Sequence, residues 1–208
     1  MQSLIFRKTT VNKYLIKQAS IVNEGEIKIA DVLIVDELNK SIANSISANN
    51  VNIIDAEGLY LLPGMINRLE TIAIDHAPHL LSEKEGIYFQ VKAGSPLVQH
   101  ALPIMLELYH KGKISLQKII EKTSHHVAEI YRIKEISYIR ADYFADLVLV
   151  DINKLWQVNK QSLLYKCNRS PHTQQVFQST ITHTFFKGNF SIYQWKHSKR
   201  YKRQKIKI

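Results

Sequence analysis

Cysteine is almost absent from this 208-residue sequence, since Cys167 is the only one. A single cysteine cannot form a disulfide within the chain, which favours a reducing compartment. Long apolar runs are also absent, and none approaches the ~18 residues of a membrane-spanning helix. The opening residues MQSLIFR lack the basic start and long apolar core of a signal peptide. We therefore expect a cytoplasmic protein that is not inserted in a membrane.

Acidic residues are missing from the C-terminal segment 196–208, which carries seven lysines and arginines. Without these seven charges the formal net charge falls from +10 to +3. The basic character therefore belongs to a tail, interpreted as solvated and partly disordered. Such a tail could touch RNA or anionic surfaces without specificity, but it contains no folded module for specific nucleic-acid recognition.

The remaining composition is that of an ordinary globular protein. Hydrophobic residues make up 45% and charged residues 22% of the sequence, and this length predicts one or two domains with a sizeable core.

The N-terminal part is rich in apolar stretches typical of strands. Partial alternation and the turn at 23–25 predict a hairpin of residues 14–23 and 26–35. The polar stretch 37–50 predicts a loop or a short helix, and residues 51–58 and 59–66 predict strand, turn and strand. This part carries no cluster of acids, bases or nucleophiles.

The central stretch 71–79, TIAIDHAPH, combines an apolar run with polar residues at its end. Residues 71–74 predict a buried parallel strand, which Pro78 helps to end. At the carboxyl end of a barrel strand such polar residues are typical of catalysis. Asp75 could bind a metal or take a proton from metal-bound water, and His79 could hold an anionic group. The alternative is a strand that ends in a solvated aspartate and histidine.

Helices are predicted after this stretch. Residues 96–110 have a helical apolar face, Pro103 predicts a kink or a delayed start, and Gly112 ends the helix. Ser115 and Ser124 are predicted to cap two further helices. Strand character returns at 145–151, and the final predicted hairpin spans 178–194 with its turn at 187–189.

These segments resemble dihydroorotase, the metal-dependent cyclic-amide hydrolase of pyrimidine synthesis in the amidohydrolase superfamily. The matching stretches follow the order of that family and cover most of residues 14–194: LIKQASIVNEG (15–25), DAEGLYLLPG (55–64), IDHAPH (74–79), AGSPLVQHAL (93–102), KISL (113–116), EKTSH (121–125), YFADLVLVD (143–151), YKCNRSP (165–171) and TFFKG (184–188).

The resemblance implies a mixed α+β fold. Residues 1–66 and 141–195 would form the two halves of a composite β-sandwich, residues 67–140 would be a remnant of a (β/α)₈ barrel with its last strand and helices, and 196–208 would be the tail. A whole barrel takes roughly 250 residues, whereas six residues separate Gly64 from Thr71. The metal-binding His-x-His pair that follows the Pro-Gly in that family is absent from the sequence.

The resemblance also assigns roles to four residues. Asp75 matches an aspartate that binds one metal and shuttles a proton, and His79 matches a histidine that helps to hold the substrate carboxylate. Ala93 and Gly94 match a loop whose backbone contacts the substrate ring. The implied cofactor is zinc and the implied substrates are dihydroorotate or carbamoyl aspartate, but the other metal ligands have no counterpart here.

Other histidines could replace the missing ligands, since three imidazoles near Asp75 could hold a zinc ion. Adjacent histidines cannot both face one metal on a regular helix, and the pair at 125–126 matches a structural His-Asn pair of the family, so we disfavour this alternative. Cys167 is disfavoured as a nucleophile because no base is predicted beside it. The available histidines are His76, His100, His110, His125 and His126.

Three functional hypotheses remain. The chain is an inactive remnant of a dihydroorotase, or a non-catalytic scaffold that binds a full-length family member or another pyrimidine-pathway subunit, or it binds RNA through its tail. Because the barrel strand would lack a neighbour, we also expect self-association, aggregation or marginal stability.

Overall fold

The fold is built around one large β-sheet. A computed structural model describes residues 12–66, 75–193 and 196–197. The strands of the described residues are β1 (Lys13–Asn23), β2 (Glu26–Val35), β3 (Leu38–Ala43), β4 (Asn52–Asp55), β5 (Tyr60–Pro63), β6 (Leu147–Asp151), β7 (Trp156–Gln157), β8 (Val176–Phe177), β9 (Thr180–Phe186), β10 (Asn189–Tyr193) and β11 (Lys196–His197).

The predicted N-terminal hairpin is confirmed. β1 and β2 pair antiparallel up to the Asn23–Glu26 pair, and Glu24 and Gly25 make the turn with positive φ angles of 51° and 82°. The predicted loop or short helix at 37–50 is wrong, because residues 38–43 form β3 on the open edge of β2. Only one face of this edge strand packs inward, so its polar residues did not reveal it.

The described N-terminal and C-terminal strands share this sheet, as predicted. β5 pairs antiparallel with β6, which places Leu61 opposite Leu149, and β6 pairs with β9. The strand order β11-β10-β9-β6-β5-β1-β2-β3, with β4 beside β1, makes one nine-stranded sheet. β7 and β8 form a separate two-stranded sheet.

The sheet is curved, so that strands separated in its order face each other across its concave side. The predicted two halves of a sandwich are therefore parts of one continuous sheet. Tyr14 on β1 contacts Phe185 on β9 with ring centroids 5.3 Å apart, although β5 and β6 lie between these strands. The Ala145 N–H donates to the Glu37 carbonyl at 2.8 Å, which draws the turn after β2 toward the start of β6.

Alternating residues of the strands supply two cores. Leu61 and Leu149 point into the bent sheet, whereas their neighbours Leu62 and Val150 point to the other face. This other face packs against the helices through Leu106 and similar side chains. Burying one such leucine contributes about 1.5–3 kcal/mol, so the alternation fixes the register of the central strands.

Three α-helices lie beside the sheet, as predicted: α1 (Ala101–His110), α2 (Leu116–Ile120) and α3 (His126–Ile130). Pro103 lies in the first turn of α1, which confirms the delayed start. The Ser115 side chain caps α2 by accepting from the Lys118 N–H at 3.2 Å.

The predicted cap at Ser124 is wrong. A π-helical stretch, Glu121–His125, joins α2 to α3 without a break. The Ser124 hydroxyl donates to the Gly64 carbonyl at 2.9 Å and so fastens this helical stretch to the end of β5.

Some predictions fall on residues that the structure does not describe. The barrel strand at 71–74 and the tail beyond residue 197 lie outside the described residues. The division into parts at residues 66, 140 and 195 stays a prediction. Within the described residues, no helix is both long and apolar enough to span a membrane.

Candidate functional site

Asp75 and His76 begin the described part of the predicted site. Asp75 is exposed. His76 pairs with Ser95 in an isolated parallel bridge, and its Nδ1 accepts from the N–H groups of Leu97 and Val98 at 3.1 and 3.3 Å. Nδ1 therefore carries a lone pair that the backbone already uses, and His76 serves to hold two chain segments together.

His79 is held at both its side chain and its backbone carbonyl. Its Nδ1 is 3.7 Å from Oε2 of Glu83, and its carbonyl accepts from Nε of Arg169 at 2.6 Å. The same Glu83 oxygen accepts from the Leu80 N–H at 2.8 Å. The carboxylate beside His79 opposes the binding of a second anion at this imidazole.

Ala93 and Gly94 come next to the Asp75–His79 segment in space. A Cβ on Gly94 would lie 2.2 Å from the Cβ of Ala77, and Gly94 has φ +96°. Only glycine fits this close approach without strain. The structure thus brings Gly94 and the Asp75–His79 segment together, while Ala93 is exposed beside them.

Lys84 is a residue of this loop that the sequence reasoning missed. Its Nζ donates to the carbonyl oxygens of Lys92 and Gly94, the latter at 2.6 Å. These bonds close the loop 84–94 on itself. A lysine in a polar loop carries no sequence signal for such backbone contacts.

Tyr165 and Arg169 were missed as residues that position the site, although both lie in a stretch that matches the family. The Tyr165 hydroxyl accepts from the Gln99 N–H at 2.9 Å and contacts Nδ1 of His100 at 3.0 Å. Burial raises the pKa of Tyr165 to about 12, so this hydroxyl stays neutral. Arg169 holds the His79 carbonyl.

The other histidines face different partners from Asp75. His110 Nε2 lies 2.8 Å from the Ser179 hydroxyl, His125 Nε2 lies 3.1 Å from Oδ1 of Asn23, and His126 Nδ1 lies 3.3 Å from Nζ of Lys122. Burial lowers the pKa of His125, which favours a neutral imidazole that packs flat on Tyr138. Across the described ranges no group of three metal-binding side chains occurs.

The residues described near Asp75 therefore do not fit the zinc ion that the resemblance implies. A catalytic zinc takes three protein ligands, and the histidine next to Asp75 already accepts two backbone hydrogen bonds at Nδ1. Cys167 is half-buried and contacts the Arg169 carbonyl at 3.9 Å. We assign it no catalytic role.

A surface cleft of about 490 Å³ lies beside the turn between β1 and β2 and the helices α2 and α3. Arg140 donates to the Glu24 carboxylate in its wall, and this hydrogen bond lowers the pKa of Glu24. Arg140 also lies 4.4 Å from the ring centre of Tyr138. The wall is an ion-paired structural contact, and it contains none of the predicted site residues.

No family model matches this chain. Dihydroorotases from Halobacterium salinarum and Aquifex aeolicus are 32% and 35% identical to it over 109 and 120 residues. These alignments cover 52% and 58% of this chain but 26% and 28% of the relatives. The resemblance to dihydroorotases is confirmed. An allantoinase from Desulfitobacterium hafniense is also 32% identical, over 118 residues.

The chain thus spans about a quarter of the length of the curated relatives that it matches. Solved structures agree on the fold at low identity. A D-hydantoinase from Bacillus sp. AR9 has a TM-score of 0.76 at 10% identity, over 89% of this chain and 96% of that one. L-hydantoinase from Arthrobacter aurescens has a TM-score of 0.74 at 9% identity, over 90% and 97%. The relatives named here are dihydroorotases and an allantoinase, and the likeness to the two hydantoinases shows the fold alone.

Proposed function

We propose that this chain derives from a dihydroorotase and has no hydrolase activity of its own. One observation carries the proposal: Asp75, the described residue that matches a metal ligand, has no set of metal-binding partners in the described structure. The composite sheet and the Asp75–His79 segment support descent from this family.

The missing ligands matter because hydrolysis of a cyclic amide near neutral pH needs an activated water. A bound metal lowers the pKa of water from 15.7 to about 7 and polarises the carbonyl. Asp75 alone, as a general base, would supply about 10²–10⁴-fold. Enzymes typically reach at least about 10⁶-fold, so the side chains described near Asp75 fall well short.

Substrate binding is expected to be weak for a separate reason. The family match gives His79 the substrate carboxylate of dihydroorotate or carbamoyl aspartate. Here Glu83 lies 3.7 Å from that imidazole and competes for it. The match assigns the backbone of Ala93 and Gly94 to contact with the substrate ring, but here the Gly94 carbonyl is bound by Lys84.

The test is a metal analysis of the purified chain paired with an assay of dihydroorotate hydrolysis. We expect less than one zinc per chain and no turnover above that of Asp75→Ala. Asp151→Ala is the matched control, because it removes a carboxylate away from the site. About one tightly bound zinc with turnover that only Asp75→Ala abolishes would overturn the proposal.

A second candidate function is that of a non-catalytic partner, and one observation favours it. The loop after His79 exposes large apolar side chains within ten residues, with Phe89 92% and Tyr88 85% exposed. Such a patch is typical of a surface that meets another protein. The partner would be a second copy of this chain, a full-length family member or another subunit of the pathway.

Copurification from the native source distinguishes the two functions. A scaffold brings down a stoichiometric partner that Tyr88→Ser together with Phe89→Ser releases, whereas an inactive remnant brings down none. RNA binding through the tail is the remaining hypothesis, and it predicts affinity that falls steeply with salt.

A further inference from the structure

The residues between β7 and β8, 158–175, form a loop that is fastened to residues 79–100. We name it the cover loop. The Gln99 side chain binds it twice, by donating to the Ser162 carbonyl at 2.6 Å and accepting from the Leu164 N–H at 2.9 Å. Arg169 of the loop binds the His79 carbonyl. The cover loop is thus attached directly to the Asp75–His79 segment.

Two imidazoles lie where the cover loop meets α1. His100 is fully buried, and its ring stacks with those of Trp156 and Phe177 at centroid distances of 6.1 and 6.0 Å. His172 of the cover loop lies 5.3 Å from His100, ring centre to ring centre. In both rings Nε2 is buried and has no hydrogen-bond partner among the described residues.

In contrast to Nε2, the Nδ1 atom of each ring has a hydrogen-bond partner. His172 Nδ1 donates a hydrogen bond to the amide oxygen of Gln175 at 2.7 Å. His100 Nδ1 meets the Tyr165 hydroxyl at 3.0 Å and the Ser170 hydroxyl at 3.5 Å. A neutral His100 ring suits these contacts, because hydroxyl groups can donate to Nδ1 or accept from it, whereas no group accepts a proton at Nε2 among the described residues.

The other charged or titratable groups near the pair do not favour a positive ring. The His76 ring packs against the Tyr165 ring. Arg169 and Cys167 belong to the cover loop. None of these groups is a carboxylate. The Glu107 carboxylate on α1 accepts a hydrogen bond from the Gln178 N–H at 2.6 Å.

We propose that the cover loop is an acid-sensitive lid, held closed while the buried His100 beside His172 is neutral and released from His79 when His100 binds a proton. A protonated imidazole has two N–H donors. In the closed state the second donor, at Nε2, has no acceptor among the described residues, whereas in the open state water accepts it. The proton therefore binds the open state more tightly.

The direction of the pH effect follows from burial. Burial, together with the charge of His172, lowers the pKa of His100 from 6.5 to about 4. A lowered pKa in the closed state means that closure is fully favoured above pH 6.5 and weakens as the pH falls from 6.5 toward about 4. Between about pH 7.5 and about pH 5 the opening equilibrium should rise roughly 25-fold.

Trp156 reports this opening because its ring stacks on His100. In a Trp195→Phe background it is the single tryptophan, and its fluorescence is followed from pH 8 to pH 4 alongside hydrogen exchange of residues 158–175, corrected for intrinsic rates. We expect a reversible transition of the cover loop below pH 6.5, while exchange in β1, β5 and β6 stays slow.

Variants decide the assignment. His100→Gln should remove the transition, and His110→Gln, which removes a histidine of α1 outside the pair, should leave it in place. If His100→Gln does not fold, His172→Gln replaces it, because this side chain is only half-buried, and it should shift the transition. A pH profile that stays the same in the folded pair variants would overturn the proposal, as would simultaneous exchange of the whole sheet.

Discussion

Gly94 shows how one residue shapes the candidate site. Its φ is +96°, and a Cβ added there would lie 2.2 Å from the Cβ of Ala77, so Gly94→Ala combines two strains. We expect this variant to lower the free energy of unfolding by about 1–3 kcal/mol, measured by urea unfolding. Gly58→Ala is the matched control, since φ is +74° there and nothing lies within 4 Å. Equal losses in both variants would show that the contact with Ala77 costs nothing.

Asn23 is a buried polar residue that joins three parts of the chain. Its amide oxygen accepts from the Ile139 N–H and lies 3.1 Å from His125 Nε2, and its amide nitrogen donates to Glu24. Asn23→Ala would leave buried partners unpaired, which costs about 1–3 kcal/mol each.

We expect Asn23→Ala to lower the unfolding midpoint strongly in a thermal melt. The exposed Asn49→Ala should change it little. A melt of Asn23→Ala that overlays that of the parent chain would contradict the contacts described.

At the scale of the elements, a bulge in β1 depends on Asp31. The pairing of β1 with β2 shifts register between Ile16 and Ala19, and Gln18 has φ 56°. The fully buried Asp31 carboxylate accepts from the Gln18 and Ile46 N–H groups at 2.9 Å and pairs with Lys17. Burial raises the pKa of Asp31, but these hydrogen bonds outweigh it and the pKa is lowered.

Asp31→Asn should therefore destabilise the chain in a pH-dependent way. Hydrogen bonds to a charged acceptor contribute about 1.5–3 kcal/mol each, and the variant weakens them. A lowered carboxyl pKa gives stability that is present above pH 3.8 and lost as the pH falls through the folded-state pKa. The difference in unfolding free energy between parent and variant should shrink in acid. A constant difference from pH 7 to pH 3 would refute this.

The elements that the sequence predicts correctly are those with local signals. Alternation and a turn at 23–25 define the first hairpin, and Ser115 with Gly112 marks the ends of two helices. The sequence does not predict β3 or the continuous helical stretch through Ser124, because both depend on tertiary contacts. β3 pairs with the edge of β2. The Ser124 hydroxyl donates to the Gly64 carbonyl and does not cap a helix.

The candidate site also contains residues that the sequence indicates and residues that only tertiary contacts reveal. Gly94 and the Asp75–His79 segment come from a family match, and their roles stay a prediction, although the structure places Gly94 against Ala77 of that segment. Tyr165 and Arg169 bind backbone atoms far away in sequence, and Lys84 binds backbone carbonyls within its own loop. No residue pattern encodes such contacts.

At the scale of the whole molecule, the exposed loop predicts self-association. Tyr88 and Phe89 are almost fully exposed, and Leu81 and Ile87 are 62% and 63% exposed. Aromatic side chains each cover about 150–250 Å² when buried, so these residues provide much of the ~800 Å² per partner in a standard interface.

Phe89→Glu should therefore shift the chain toward the monomer in sedimentation velocity runs over a range of concentrations. Ile53→Glu is the control, because this side chain is 64% exposed on β4, away from the loop in sequence. A parent chain that is monomeric at every concentration would refute the prediction.

The pairing of β5 with β6 has a consequence for chain length. The Gly64 N–H donates to the Asp146 carbonyl at 2.8 Å. This hydrogen bond holds the two ends of the chain segment 64–146 side by side. The entropy of closing such a loop grows only logarithmically, by about 0.6 kcal/mol for each doubling of its length. The sheet therefore accepts a short or a long insertion at almost the same cost. The segment between these strands is a position where evolution can lengthen or shorten the polypeptide while the strand pairing survives.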